Sequence, residues 1–131
     1  MEQLIYLILA IAAGVVVIKL YTHKVSRAGN RLTPEQAKAR MDSGDALTVL
    51  DVRTREEFAA GHIPGAVCLP VEELSAETAA KVLPQADGEI LVYCRSGRRS
   101  ARAARSLAAL GYTRVYDFGG ILSWPYETTA E

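Results

Sequence analysis

The stretch Val92–Ser100, VYCRSGRRS, ends an apolar run in Cys94 and follows it with three arginines, two serines and one glycine. A cysteine attacks as its thiolate, and a free thiol with a pKa of about 8.5 is mostly protonated at neutral pH. EILVYC reads as a strand and SARAARSLAAL as a helix, so RSGRR is the turn between them. The amides of such a turn and the positive end of the helix dipole converge on an anion held there. The best-placed anion is the Cys94 thiolate itself, which would then need no histidine base. Gly97 permits the crowded or left-handed backbone that turns several amides inward. Arg95, Arg98 and Arg99 make the mouth positive and, with Ser96 and Gly97, form a candidate site for an anionic substrate. Arg102 and Arg105 continue the charge along the helix.

A loop of this kind needs elements that hold it. Thr33 caps a helix that Pro34 begins, Gln36 completes a capping box and Gly44 ends it. LTVLDVR is a short β-rich run suited to a buried strand, and Thr54 then caps REEFAA, which Gly61 closes. AVCLP reads as a strand, Glu72 to Leu83 as helix, and EILVYC as the strongest strand. Gly111 closes the helix after the cysteine, TRVYDF is a last strand, and a helical turn after Gly119-Gly120 ends at Trp124-Pro125. The alternation predicts an α/β domain, a central parallel sheet with helices on both faces. Sites in such sheets form at the carboxyl ends of strands, where this reading puts Cys94. Residues 128–131 read as a frayed tail.

Other residues fit supporting roles near the site. Asp51 and Arg53 end the first buried strand, and Arg53 is expected to meet Glu56 or Glu57 and pin GHIPGA. His62 reads as a turn-fixing, backbone-bonding histidine, since the loop already activates the thiol. Gly119, Gly120 and Trp124 are expected to shape and wall the pocket. Cys68 reads as a small buried residue, with a resolving thiol for Cys94 as the alternative. The two cysteines lie in no CxxC or Cys/His cluster, so no metal is expected. Fifteen basic and fifteen acidic side chains give a formal net charge of zero, which disfavours nucleic acid as a partner.

Leu4–Ile18 carries no charge and would make a helix of about 22 Å. Extension from Met1 to Tyr21 reaches the roughly 30 Å of a hydrocarbon core. Lys19 can snorkel, and Tyr6 and Tyr21 suit the two interfaces. The alternative is a cleaved signal peptide, with Ala10-Ile11-Ala12 as its site, but Glu2 and Gln3 are not a positive leader. Lys19, Lys24, Arg27 and Arg31 follow the apolar run and no lysine or arginine precedes it. The positive-inside rule then makes a single-pass membrane protein with its C-terminal domain in the cytoplasm, where thiols stay reduced. Ala10 and Gly14 form a small-xxx-small pair through which two helices could pack as a homodimer. The resulting organisation is a transmembrane helix over 1–21, a basic linker over 22–31, a domain over 32–126 and a tail over 127–131.

With these motifs in view, the chain resembles the rhodanese family. LDVRTREEFAAGHIPGAVCLP is similar to the family's first signature, YCRSGRRS to its active-site loop and YDFGGILSW to its Gly-Gly-x-x-x-Trp signature. The resemblance covers nearly all of Leu32 to Tyr126 and implies a rhodanese-like fold and sulfur transfer. Cys94 would take sulfur from a donor such as thiosulfate as a persulfide and give it to an acceptor thiol or to cyanide. No cofactor is implied, since the cysteine carries the sulfur. Phosphatases of this fold place an arginine after a cysteine and five residues; here that position is Ser100, and the ring ending at Arg99 is one residue short. A redox-sensing or partner-recruiting module is the alternative function.

Overall fold

A computed structural model describes residues 1–27 and 30–131, with side chains for 1–19 and 30–131. The roles read for Tyr21, Lys24 and Arg27 concern side chains outside the described residues. α1, Glu2–Arg27, is one helix of 26 residues. Its stretch Glu2–Lys19 has mean hydropathy 1.9 and is long and apolar enough to cross a membrane. Its large apolar side chains, from Leu4 through Ile18, are exposed.

The remaining elements alternate. They are β1 (Asn30–Arg31), α2 (Pro34–Asp42), β2 (Leu47–Asp51), α3 (Arg55–Ala60), β3 (Val67–Cys68), α4 (Ala76–Val82), β4 (Glu89–Cys94), α5 (Arg98–Ala109) and β5 (Arg114–Gly120). The five strands form one sheet in the order β1-β5-β4-β2-β3, and every pairing is parallel. The α/β class read from alternation therefore holds. Asn30 and Arg31, read as the end of the linker, instead pair with Tyr116 and Asp117 of β5.

Side-chain capping boxes start α2, α3 and α4. Thr33 accepts the Gln36 amide at 3.1 Å while the Gln36 side chain accepts the Thr33 amide at 2.9 Å, closing a capping box. Thr54 and Glu57 form a second box on α3. The helix expected over 72–83 is divided: a 3-10 turn spans Val71–Glu73, and α4 starts afresh at a third capping box, Ser75 with Thr78.

Strand β4 is buried along its whole length, and its alternation sorts the core. Ile90, Val92 and Cys94 face a cluster with Leu50, Leu83, Ala103 and Leu107. Leu91 and Tyr93 face the other cluster, with Ala37, Val49, Ile63, Phe118 and Trp124. At the start of β4, buried Glu89 is held by Arg40 at 2.8 Å. At its end the pairing with β5 slips, from Val92 opposite Asp117 to Cys94 opposite Gly120. This bulge carries Gly119 at φ +91 and brings the end of β5 beneath the loop that follows Cys94.

Candidate active site

Cys94 ends the central strand at the carboxyl edge of the sheet, 1% exposed. Gly97, at φ +105, is the N-cap of α5. Its amide donates to the Cys94 sulfur at 3.0 Å. The Ser100 hydroxyl lies 3.5 Å from the same sulfur and also within reach of the Gly97 and Gly119 carbonyls, at 3.1 and 3.3 Å. With a neutral thiol, the hydroxyl can accept from sulfur and donate to a carbonyl. With a thiolate, it can rotate its proton onto the sulfur. Burial pushes the Cys94 thiol up, but the Ser100 hydroxyl and the amides of Ser100, Gly97 and Ser96 outweigh it and leave the pKa below the ordinary value. Inward-facing donors, more than the arginines, thus favour the thiolate.

The arginines divide. Arg95 and Arg98 are exposed and have no acidic partner among the described residues. Arg99, expected to meet substrate, grips Glu57 with two contacts at 2.6 and 3.0 Å. Arg102 reaches Glu72 at 3.5 Å. The loop is tied from below, where the Leu122 amide donates to the Arg95 carbonyl at 3.2 Å.

Arg53 does not meet Glu56 or Glu57. Its guanidinium reaches the Asp51 carboxylate at 2.7 Å, because both side chains are buried and share one face of the chain end, and Glu57 is occupied by Arg99. Arg53 does pin the following turn, donating to the Gly61 carbonyl at 2.7 Å. His62 Nδ1 lies 2.8 Å from the Phe58 carbonyl, and its ring stacks on Phe58 at 3.8 Å. Its backbone pairs with Thr129 in both directions at 2.8 Å. The tail read as frayed is therefore fastened to this turn by main-chain bonds that no side-chain pattern announces. Trp124 packs on Phe118 in the core cluster opposite the one Cys94 joins, so it supports the β5 end from the far face of the sheet.

Cys68 sits on edge strand β3, with β2 between it and β4. Two strand spacings are roughly 9.5 Å, beyond the roughly 7 Å that a disulfide spans between Cα atoms. Its thiol is pushed up by burial and by Asp51, and it donates to the Arg53 carbonyl at 3.7 Å. Cys68, expected as a small buried residue, is only half-buried and belongs to neither core cluster, and the strand spacing does not allow it a disulfide with Cys94.

Ser100 is the site residue that sequence reading treated only as a missing arginine. Its place in the first turn of the helix that follows the cysteine loop was the available signal. Ser100→Ala should move the midpoint of Cys94 alkylation by iodoacetamide to higher pH and slow it several-fold at pH 7. An unmoved midpoint would assign the activation to the amides alone.

A buried cysteine whose sulfur faces loop amides at the carboxyl end of a parallel strand defines an α/β domain with a cysteine loop suited to hold an anion. Residues 33–126 match the rhodanese-like domain model, and the chain belongs to the rhodanese family. It is 40% identical over 95 residues to YrkF of Bacillus subtilis, covering 72% of this chain and half of YrkF. It is 36% identical over 72 residues to the thiosulfate sulfurtransferase PspE of Escherichia coli, covering 55% of this chain and 68% of PspE. The rhodanese-like domain of the Alr3790 protein from Anabaena sp. superposes with a TM-score of 0.70 at 28% identity, over 77% of this chain and 79% of that one.

Proposed function

We propose that this protein is a membrane-anchored sulfurtransferase in which Cys94 carries sulfane sulfur from thiosulfate to a thiol. The Cys94 thiolate attacks the outer sulfur of thiosulfate. A sulfur–sulfur bond to Cys94 forms, the bond to the sulfonate sulfur breaks, and sulfite leaves with the electron pair. An acceptor thiolate then attacks the terminal sulfur of the persulfide, leaving as its own persulfide and returning Cys94 to the thiolate. Cyanide in that role becomes thiocyanate. The Gly97 amide 3.0 Å from the sulfur carries this reading, because it is aimed at the atom that holds charge before and after transfer. Arg95 and Arg98 at the mouth suit an anionic donor. No cofactor takes part in these steps. The apolar α1 and the basic residues after it support a single-pass anchor with the domain in the cytoplasm, and Ala10 with Gly14 supports pairing of two anchors.

One experiment tests both parts. The full chain, recovered from carbonate-washed membranes in detergent, is treated with thiosulfate, freed of excess and weighed intact. One added sulfur atom, absent from Cys94→Ser, present in Cys68→Ser and removed by cyanide, is the expected result. Recovery of the chain in the carbonate supernatant would overturn the anchor. Unchanged mass would overturn thiosulfate as donor.

A further inference from the structure

The six-residue ring Cys94–Arg99 is held at one end by β4, buried through all six of its residues. Its other end is Arg99, in the first turn of α5. Arg99 Nη1 lies 2.6 Å from Glu57 Oε1 and Nη2 lies 3.0 Å from Oε2, a two-pronged contact across 42 residues of sequence. Both side chains are 28% exposed. Glu57 is itself fixed. Its Oε1 accepts from the Thr54 amide and the Thr54 hydroxyl, each at 3.1 Å, so the carboxylate is part of the first turn of α3. A rigid acceptor on one helix thus holds the last residue of the cysteine ring on another. The hydrogen bonds from Arg99 hold the Glu57 carboxyl down to about 2, so the pair is ionised throughout the range in which a thiol titrates.

We propose that Glu57 is a positioning residue for the Cys94 ring, clamping its last residue to α3, and that Arg99 accordingly holds the ring and not the donor. The clamp sets where the amides of Ser96, Gly97 and Ser100 point, because the chain from Gly97 to Ser100 passes through Arg99. Donor recognition falls to Arg95 and Arg98, whose guanidinium groups are uncommitted among the described residues. The kinetic part of the test rests on the sulfur-transfer reading; the alkylation part does not.

Glu57→Gln isolates the clamp from helix capping, since glutamine also closes a capping box. It keeps the shape and removes the charge that makes the two-pronged contact strong. With the full chain in detergent, Glu57→Gln and Arg99→Gln should each lower kcat for thiosulfate and cyanide by about tenfold while the KM for thiosulfate stays within about twofold. The double variant should fall no further than either single one, because the two residues act as a unit. The midpoint of Cys94 alkylation by iodoacetamide should rise in Glu57→Gln as the amides lose their aim. A rise in KM with unchanged kcat in Arg99→Gln would show that Arg99 binds donor, and would overturn the proposal. Multiplying losses in the double variant would overturn it too, as would an alkylation midpoint that stays or falls. A wild-type chain that gains no sulfur from thiosulfate would remove the sulfur-transfer reading alone, and alkylation would still decide the clamp.

Discussion

Gly120→Ala is expected to lower sulfur transfer by about a hundredfold or more, with a thermal midpoint lower by about 4–20 °C. Gly120 sits in ordinary extended backbone, φ −120 and ψ 153, so its side chain is absent for reasons of space. A Cβ there would overlap the Arg95 carbonyl and stand 2.7 Å from the Ser96 Cα. These are main-chain atoms of the cysteine loop and have no rotamer to escape into, so the loop itself must shift. A misplacement of about 1 Å in a catalytic array can cost about a hundredfold in rate. Added bulk in a packed site costs about 1–3 kcal/mol. Gly119 is the informative contrast. It lies at φ +91, and a Cβ built on it meets nothing within 4 Å. Gly119→Ala is therefore strained where it stands but does not push the loop. The check is kcat and thermal unfolding of both variants side by side. Gly120→Ala with wild-type turnover would mean that the amide cage tolerates displacement, and that the thiolate does not depend on its aim.

What could be read from the sequence follows from which forces leave a side-chain trace. Thr33 with Gln36, and Thr54 before an acidic turn, announce helix starts because the capping groups are side chains. β4 is legible because burial on both faces makes it a continuous apolar run. Cys94 is legible because a glycine and several arginines follow a strand end. The two-residue strand β1 is not, since Asn30 and Arg31 join β5 through main-chain bonds that any residue could make. The Thr129 pairing with His62 was hidden for the same reason. The break before α4 had a trace, Ser75 three residues before Thr78, but it lay inside a stretch whose composition is helical throughout. The choice of partner among charges was the least legible feature. Arg53 had Asp51, Glu56 and Glu57 within a few residues, and Arg99 had no obvious partner nearby. Sequence distance favours local pairs, whereas the fold brings α3 beside the start of α5 and gives Glu57 to Arg99. Arg53 is left with Asp51, buried beside it.

That buried pair carries the largest stability effect. Asp51 is fully buried and the Arg53 side chain is 6% exposed. The carboxylate accepts from the Arg53 amide at 2.9 Å and from the guanidinium at 2.7 and 3.0 Å. The guanidinium also holds the Gly61 carbonyl, and the Tyr93 hydroxyl beneath accepts the Ile63 amide at 3.1 Å. Burial is the main reason the Tyr93 phenol is pushed up, and its hydrogen bond to Asp51 adds to it, so it stays neutral in this network. Arg53→Met keeps most of the volume but strands a carboxylate with no water to solvate it. Removing one member of such a pair costs about 3–5 kcal/mol. Asp51→Asn keeps an amide oxygen to accept but strands the buried guanidinium instead, so it should cost a similar amount. Replacing both, Asp51→Leu with Arg53→Met, should recover much of the loss, because the main penalty is the unpaired charge and not the missing bond. Urea unfolding followed by tryptophan fluorescence measures this directly, with Trp124 as the single tryptophan. None of these side chains hydrogen-bonds to the Cys94 ring, so kcat per folded molecule should stay near wild type at low temperature. An Arg53→Met chain that unfolds at the wild-type urea concentration would show that water reaches Asp51. A chain that stays folded but loses kcat would instead tie this end of β2 to the chemistry of the neighbouring strand.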